Sequence, residues 1–256
     1  MSSRSAPHPL VDLGADHALI VARLRSVAPH AHAVPAVVVG LDGPFIYADD
    51  RGAREVGSVL IRAGHRHRLE CDTRQMLIVY FTNPSALRSG APGCPLPAES
   101  LDIDAVRGLR TAALDASDGA ANREALQARL AKLIPAEPPR IDERLERAMD
   151  LMREDRGGRL SLQDLADEAD LSPSRLMHLL RSTFGVPFRQ LRAWERMRRV
   201  TEARAGGDSL TEACLAAGFA DSSHFAHAFR KMFGVTASTV LGRHARVRSK
   251  VVGPTT

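Results

Sequence analysis

The chain has 256 residues, 44% of them hydrophobic and 25% charged, with a formal net charge of +5. That composition belongs to a folded globular protein with room for two domains, and it excludes intrinsic disorder. No run approaches the roughly 18 uncharged apolar residues of a membrane helix, and Asp12, Asp16 and His17 interrupt what would be the apolar core of a secretion signal, so a cytoplasmic location is expected.

From the N-terminus, β-rich runs occupy Ala33 to Val39, Phe45 to Ala48, Val56 to Ile61 and Met76 to Phe81, with turn signals at Gly43-Pro44, Asp49 to Gly52 and Gly64 between them. They predict an antiparallel barrel or sandwich. After a proline- and glycine-rich loop from Pro84 to Pro97, helical periodicity runs through Leu101 to Leu114 and Arg123 to Leu133. Ile134 to Pro139 then sets prolines at 135, 138 and 139, a density that neither a helix interior nor a central strand tolerates. The predicted division is a mainly-β domain with trailing helices over 1–134, a linker over 135–140 and an all-α domain over 141–256 whose core is 158–242. Helices are expected at Ile141 to Arg153, Ser161 to Ala169, Ser172 to Phe184, Pro187 to Ala205, Ser209 to Ala217 and Asp221 to Phe233. The three cysteines, Cys71, Cys94 and Cys214, form no CxxC pair and no disulfide pattern, so reduced thiols are expected.

Charge divides with the domains. Residues 1–139 carry 15 basic and 15 acidic side chains, whereas 140–256 carry 20 and 15, and 171–250 alone carry 14 and 5. The excess is mostly arginine, which suits phosphate and guanine contacts, so a polyanion partner is implied.

The basic half repeats itself. At an offset of 49, Ser174-Arg175-Leu176 aligns with Ser223-His224-Phe225, Leu180-Arg181 with Phe229-Arg230, and Phe184-Gly185-Val186 with Phe233-Gly234-Val235. Each copy has a short helix with small residues (Leu165-Ala166, Ala213-Cys214), a tight turn, and a second helix opened by Ser172 or Asp221 as N-cap. That is the layout of a helix-turn-helix. Residues three and four apart share a helix face, so Leu176, Leu179 and Leu180, and Phe225, Ala228 and Phe229, are the predicted core. The opposite face presents Ser174, Met177, His178 and Arg181 in one copy and Ser222, Ser223, His227 and Arg230 in the other, with no carboxylate. Such a face suits a major groove: serines allow close approach, histidines donate to base edges, and the arginines sit where the phosphate backbone passes. The helix between the copies spans roughly 27 Å at 1.5 Å per residue, which approaches the 34 Å or so of one DNA turn. Its Arg189, Arg192, Arg196, Arg198 and Arg199 either join the basic surface or brace Trp194, Glu195 and Glu202.

These residues, from Leu160 to about Val240, including Ser172-Pro173-Ser174-Arg175-Leu176, Phe184-Gly185-Val186-Pro187-Phe188, Gly218-Phe219-Ala220-Asp221-Ser222-Ser223-His224-Phe225 and Phe229-Arg230-Lys231-Met232-Phe233-Gly234-Val235-Thr236, resemble the DNA-binding domain of the AraC family of bacterial transcription regulators. The resemblance covers about 80 residues in order. It implies that Ser174, Met177, His178, Ser222, Ser223 and His227 reach bases; Arg175, Arg181, His224 and Arg230 complete the predicted DNA surface. It also implies double-stranded DNA and RNA polymerase as partners and a homodimer joined through Leu101 to Leu133. Cys214 and Ala237 depart mildly from the family's alanine and proline, and Met177 stands where a polar residue is usual, suited to packing on a thymine methyl.

More loosely, the N-terminal half resembles the cupin-like sensor domain of that family, through His30-Ala31-His32, Gly40 and Gly64-His65-Arg66-His67. Histidines at i and i+2 on a strand point to one side, and a third from a neighbouring strand completes a three-nitrogen site for zinc, iron or manganese. The glutamate of the cupin pattern is missing, since Pro35 and Ala36 stand in its place. The expectation is therefore that His30, His32, His65 and His67 line a small-molecule effector pocket, with no metal, no cofactor and no catalysis. Two rival functions are a metal-dependent cupin enzyme with an appended nucleic-acid-binding domain, using His30, His32 and His67, and a non-specific DNA-coating or repair protein.

Overall fold

Two long strands shape the N-terminal half. The computed structural model describes residues 8–14, 17–81, 107–113, 128–129, 141–155 and 157–249. Strands β1 (Leu10–Leu13), β2 (His17–His30), β3 (Ala36–Gly40), β4 (Phe45–Asp49), β5 (Gly52–Val56), β6 (Ser58–Ile61) and β7 (His67–Phe81) pair antiparallel in one sheet. β2 and β7 pair from His17 opposite Phe81 to His30 opposite His67, with bulges between Leu24 and Ser26 and between Val27 and His30. Opposite the first bulge, Asp72 (φ 48) and Thr73 (φ 61) take left-handed backbone, so the pair bends there. The outer edge of β7 therefore serves two partners, β4 on one side of the bend and β3 on the other, and the sheet folds over.

Strand alternation then makes two cores. Leu19, Val21, Val37, Val39, Leu77, Val79 and Phe81 point to one face, where Leu109, Ala112 and Ala113 of the helical segment 107–113 cover them. The described part of that apolar helix face is thus spent inside the chain itself. Ala18, Ile20, Val38, Met76, Ile78 and Tyr80 point the other way, into a core that continues through Trp194, Met197, Val200, Phe229 and Phe233 of the C-terminal half.

That half contains α1 (Glu143–Glu154), α2 (Leu162–Glu168), α3 (Pro173–Phe184), α4 (Phe188–Ala205), α5 (Leu210–Ala216), α6 (Ser222–Phe233) and α7 (Ala237–Leu241). The first six fall where capping and periodicity put them. Ser161 and Ser209 open α2 and α5 with full capping boxes to Asp164 and Glu212, and left-handed Gly185 and Gly234 close α3 and α6. A separate core of Leu145, Met149, Leu165, Leu176, Leu180 and Leu191 holds α1 to α3 against the start of α4.

Several features were not foreseen. His17–His30 is a single 14-residue strand, and Gly52–Val56 is a strand where the sequence signalled only the end of a turn. α7 and the strand β8 (Arg246–Ser249) follow α6, and β8 pairs in parallel with β1, setting Leu10 opposite Arg246. The C-terminal half thus adds a strand to the sheet of the N-terminal half and closes its exposed edge. The expected proline-rich loop and linker, Cys94 and most of Arg123 to Leu133 lie outside the described residues. Among the described residues, no helix is long and apolar enough to cross a membrane.

Candidate functional site

The two helix-turn-helix units superpose in chemistry as well as in order. In each, the turn after the first helix needs one left-handed residue, Asp170 (φ 52) in the first copy and Gly218 (φ 83) in the second. Leu171 N donates to Ala166 O there, and Phe219 N to Cys214 O, so the same backbone bond closes the turn in both. At Gly218 a Cβ atom would also lie 2.6 Å from Gly157 O. Gly218→Ala is therefore expected to cost about 1–3 kcal/mol, from left-handed strain plus overlap with backbone, read as a lower urea midpoint at unchanged slope.

The expected core faces are in place. Leu176, Leu180, Phe225 and Phe229 are buried, and Leu179 and Ala228 are partly so. On the other side Ser174, Arg175, Met177, His178 and Arg181 of α3 are exposed, as are Ser223, His224, His227 and Arg230 of α6, while Ser222 is half-buried. Met177 is 48% exposed, a large apolar side chain left in water on this face. His224 is partly committed to structure: its ring meets Phe219 edge-on at 5.5 Å and its Nδ1 accepts from Ala220 N. Among the described residues, the side chains of the other nine make no hydrogen bond or ion pair that would hold them off a ligand.

The arginines of α4 divide clearly. Arg192 and Arg196 donate to Gly158 O at 2.6 and 2.9 Å, Arg192 also reaches Leu160 O, and Arg199 reaches Met152 O. Arg198 pairs with Glu195 at 3.2 Å and Glu202 at 2.6 Å. These four brace the loop before α2 and the helix itself, and Arg189 remains exposed at the N-terminal end of α4. Neither described cysteine is an activated nucleophile, since burial pushes the thiol of Cys214 up to about 11 and that of Cys71 up to about 12.

Of the four N-terminal histidines, three meet and one stands apart. His30, His32 and His67 are each 2% exposed, with ring centroids 4.2 to 4.8 Å apart. Burial pulls His30 down to about 4 and His67 down to about 3, and holds His32 well below the ordinary imidazole value, so all three are neutral at pH 7. His65 instead pairs with Asp49 at 3.3 Å, and Asp49 with Arg54 at 3.5 Å. Tyr47 stacks on His67 at 5.9 Å and Tyr80 meets His32 edge-on at 4.9 Å. The spacing of His30 and His32 announced part of this cluster; the tyrosines, separated from it in sequence, had no local signal. An apolar cleft lies elsewhere, between the halves, lined by residues including Val11, Ile20, Tyr80, Trp194, Phe229 and Leu241, with Arg198 as its charged group. None of the four histidines lines it.

Residues 165–243 match the helix-turn-helix domain family. The bifunctional transcriptional activator and DNA repair enzyme Ada of Escherichia coli strain K12 is 39% identical over 79 residues, 30% of this chain; the match spans about a fifth of that relative, 22% of its length. Among solved structures, apo ToxT from Vibrio cholerae strain SCE256 aligns over 91% of this chain and 100% of its own at 15% identity, with a TM-score of 0.62. ToxT from the same strain, solved with an unsaturated fatty acid bound, aligns over 90% and 96% at 14% identity, with a TM-score of 0.56. The likeness extends over both halves, so the whole two-domain fold is shared.

Proposed function

We propose that this chain, whose C-terminal half is an AraC-type helix-turn-helix domain, is a sequence-specific DNA-binding regulator of transcription with a ligand-sensing N-terminal domain. The observation that carries this is the pair of exposed helix faces, alike in chemistry and free of carboxylates, held by one rigid 18-residue helix. Ser174, Met177, His178, Ser222, Ser223 and His227 read base edges in two successive stretches of major groove. Arg175, Arg181 and Arg230 hold phosphates, and His224 joins them from its seat on Phe219. RNA polymerase and a second copy of the chain are partners in this reading, which places the protein in the cytoplasm and gives it no catalytic role.

Sensing follows from where the cleft lies. A ligand shifts an equilibrium only by its differential affinity for the two states, and a cleft walled by both halves changes whenever they move apart. Arg198 is already matched by Glu195 and Glu202, so the cleft suits a small apolar, uncharged effector better than an acid.

The test is a titration of the full chain against its own upstream DNA and a scrambled duplex of equal length at physiological salt. The native site is expected to bind at least about a hundredfold tighter. His227→Ala is expected to remove about 1–3 kcal/mol of that discrimination while leaving the scrambled duplex nearly unaffected. Equal binding of both duplexes, with affinity set by salt alone, would support the non-specific alternative and overturn this one.

A further inference from the structure

The two helix-turn-helix units are alike in sequence but differ in what they pack on. Leu165, Leu176, Leu180 and Phe184 of the first lie in a core separate from that of the sheet, and among the described residues Ala63 is the N-terminal side chain packed against it. The second unit has no such independence: Ala213, Phe219, Phe225 and Phe233 belong to the same core as Ile20, Val38 and Tyr80 of the sheet. The cleft follows this division. Its walls include Val11 and Leu13 of β1, Phe229 and Phe233 of α6, and Val240 and Leu241 of α7, whereas among the described residues none from α1 to α3 lines it.

A strap ties the second unit down. Ala245 N donates to Gly242 O at 2.9 Å and turns the chain directly from α7 into β8. β8 then pairs with β1 from Leu10 opposite Arg246 to Leu13 opposite Ser249, and Arg246 N donates to Pro9 O at 2.7 Å. Val247 packs against the shared core, and the ring of His244 stacks on that of His8 at 5.5 Å. Yet β8 has four residues, all half-buried, and stands at the end of the sheet. A short strand with one neighbour opens at a fraction of the free energy of global unfolding. The end of α6 has a further tie, since Ala28 N donates to Gly234 O at 2.9 Å. Gly234 and Gly185, the C-caps of α6 and α3, share left-handed backbone (φ 70 and 74), but their seats differ. A Cβ on Gly234 would lie 2.5 Å from Ala28 O, and one on Gly185 would lie 3.8 Å from Ala63 O. The first unit meets the N-terminal half through turns and polar bonds, at Gly64 and through Gln190, which donates to Ala31 O at 2.9 Å.

We propose that α7 and β8 form a latch coupling the cleft to the second helix-turn-helix unit alone: paired with β1 it fixes α6 on the sheet, and on its release α6 and α7 reseat while α3 stays on its own core. An occupant of the cleft touches β1, α6 and α7, so its contacts differ between the latched and released states, which is the condition for shifting that equilibrium. It has no such lever on α3. The base contacts that respond are therefore those of Ser222, Ser223 and His227, and those of Ser174, Met177 and His178 stay as they are. This assignment to bases rests on the regulator reading; the latch does not.

The test uses the full chain. Amide hydrogen exchange is compared between Arg246→Pro, which removes the N–H that reaches Pro9 O, and Arg246→Ala, which removes the same side chain and keeps that N–H. Proline is expected to speed exchange at least about tenfold more than alanine in β1, α7 and the last turn of α6, with α3 unchanged. Faster exchange confined to β8, or equal in α3 and α6, overturns the latch. Should Arg246→Pro not fold, Gly234→Ala against Gly185→Ala decides: both carry left-handed strain, and only Gly234→Ala presses on the sheet, so only it is expected to speed exchange in α7 and β8. On DNA the readout is a hydroxyl-radical footprint of the upstream duplex. Positions belong to the second unit where His227→Ala loses them and to the first where His178→Ala does. Arg246→Pro is expected to shift half-protection by at least about fivefold over the second set and to leave the first in place. Equal shifts over both sets, or none over either, overturn the selectivity. A footprint no different from that on scrambled DNA counts against the regulator reading and leaves the exchange result standing.

Discussion

Phe233→Ala is expected to cost about 3–5 kcal/mol of unfolding free energy, the range for emptying a buried aromatic site. Phe233 is 7% exposed, and its ring lies 4.5 Å from Phe229, 5.4 Å from Tyr80 and 5.9 Å from Trp194. Tyr80 belongs to β7 and the others to α4 and α6, so this one side chain fills space shared by both halves. Its neighbours sit on separate supersecondary units with different connections and cannot all collapse onto the void. Helices α1 to α3 have their own core and are expected to keep their stability. The measurement is denaturant unfolding followed by Trp194 fluorescence and by far-ultraviolet circular dichroism. In the parent the two curves should coincide; in the variant the fluorescence transition should come first, because the seat opens before the helices melt. A loss below about 1 kcal/mol would mean that the ring caps a core that closes without it.

Arg198→Met is the second large effect. The guanidinium is 10% exposed and holds Glu195, itself 3% exposed, together with Glu202. Methionine keeps the apolar stem along the cleft and removes the charge, leaving a buried carboxylate without its main partner at an expected cost of about 3–5 kcal/mol. Adding Glu195→Gln to that variant should recover part of the loss, since the uncompensated charge is gone and the amide can hydrogen-bond in its place. The pair of urea midpoints checks this. If the second substitution makes matters worse by its full single-variant cost, the two residues are not coupled, and Glu195 is held by something other than Arg198. The outcome also bears on sensing, because Arg198 borders the cleft: with its charge removed, the cleft should accept a wider range of apolar molecules.

The C-terminal half was the more legible because its signals are local. Ser172, Ser161, Ser209 and Asp221 each accept a backbone N–H three residues ahead, so the cap and the helix it starts are read from one short window. The offset repeat then placed Leu176 with Phe225 and Gly185 with Gly234, and the exposed faces followed from the 3.6-residue period. The arginines of α4 show the limit of that reasoning. Nothing in the pattern separates Arg189, which stays in water, from Arg192 and Arg196, whose carbonyl partner at Gly158 is more than thirty residues away.

The N-terminal half was only partly legible. β2 carries charged and polar residues, Arg23, Arg25 and Ser26, where the sheet bends and one face meets water, so its alternation breaks midway. The three histidines were visible as two short motifs, but only the register set His67 opposite His30 and turned His65 to Asp49.

From the sequence alone came the two-domain division, the six helices from Glu143 to Phe233, the duplicated helix-turn-helix unit and its carboxylate-free face, because each rests on neighbours within a few turns of chain. Tertiary structure decided the rest: the core shared between Tyr80, Trp194 and Phe233, the β8 strand laid beside β1, and the gathering of the imidazoles of His30, His32 and His67. Those contacts join residues far apart in the chain, and no periodicity in a short window records which distant surface an apolar or polar side chain will meet.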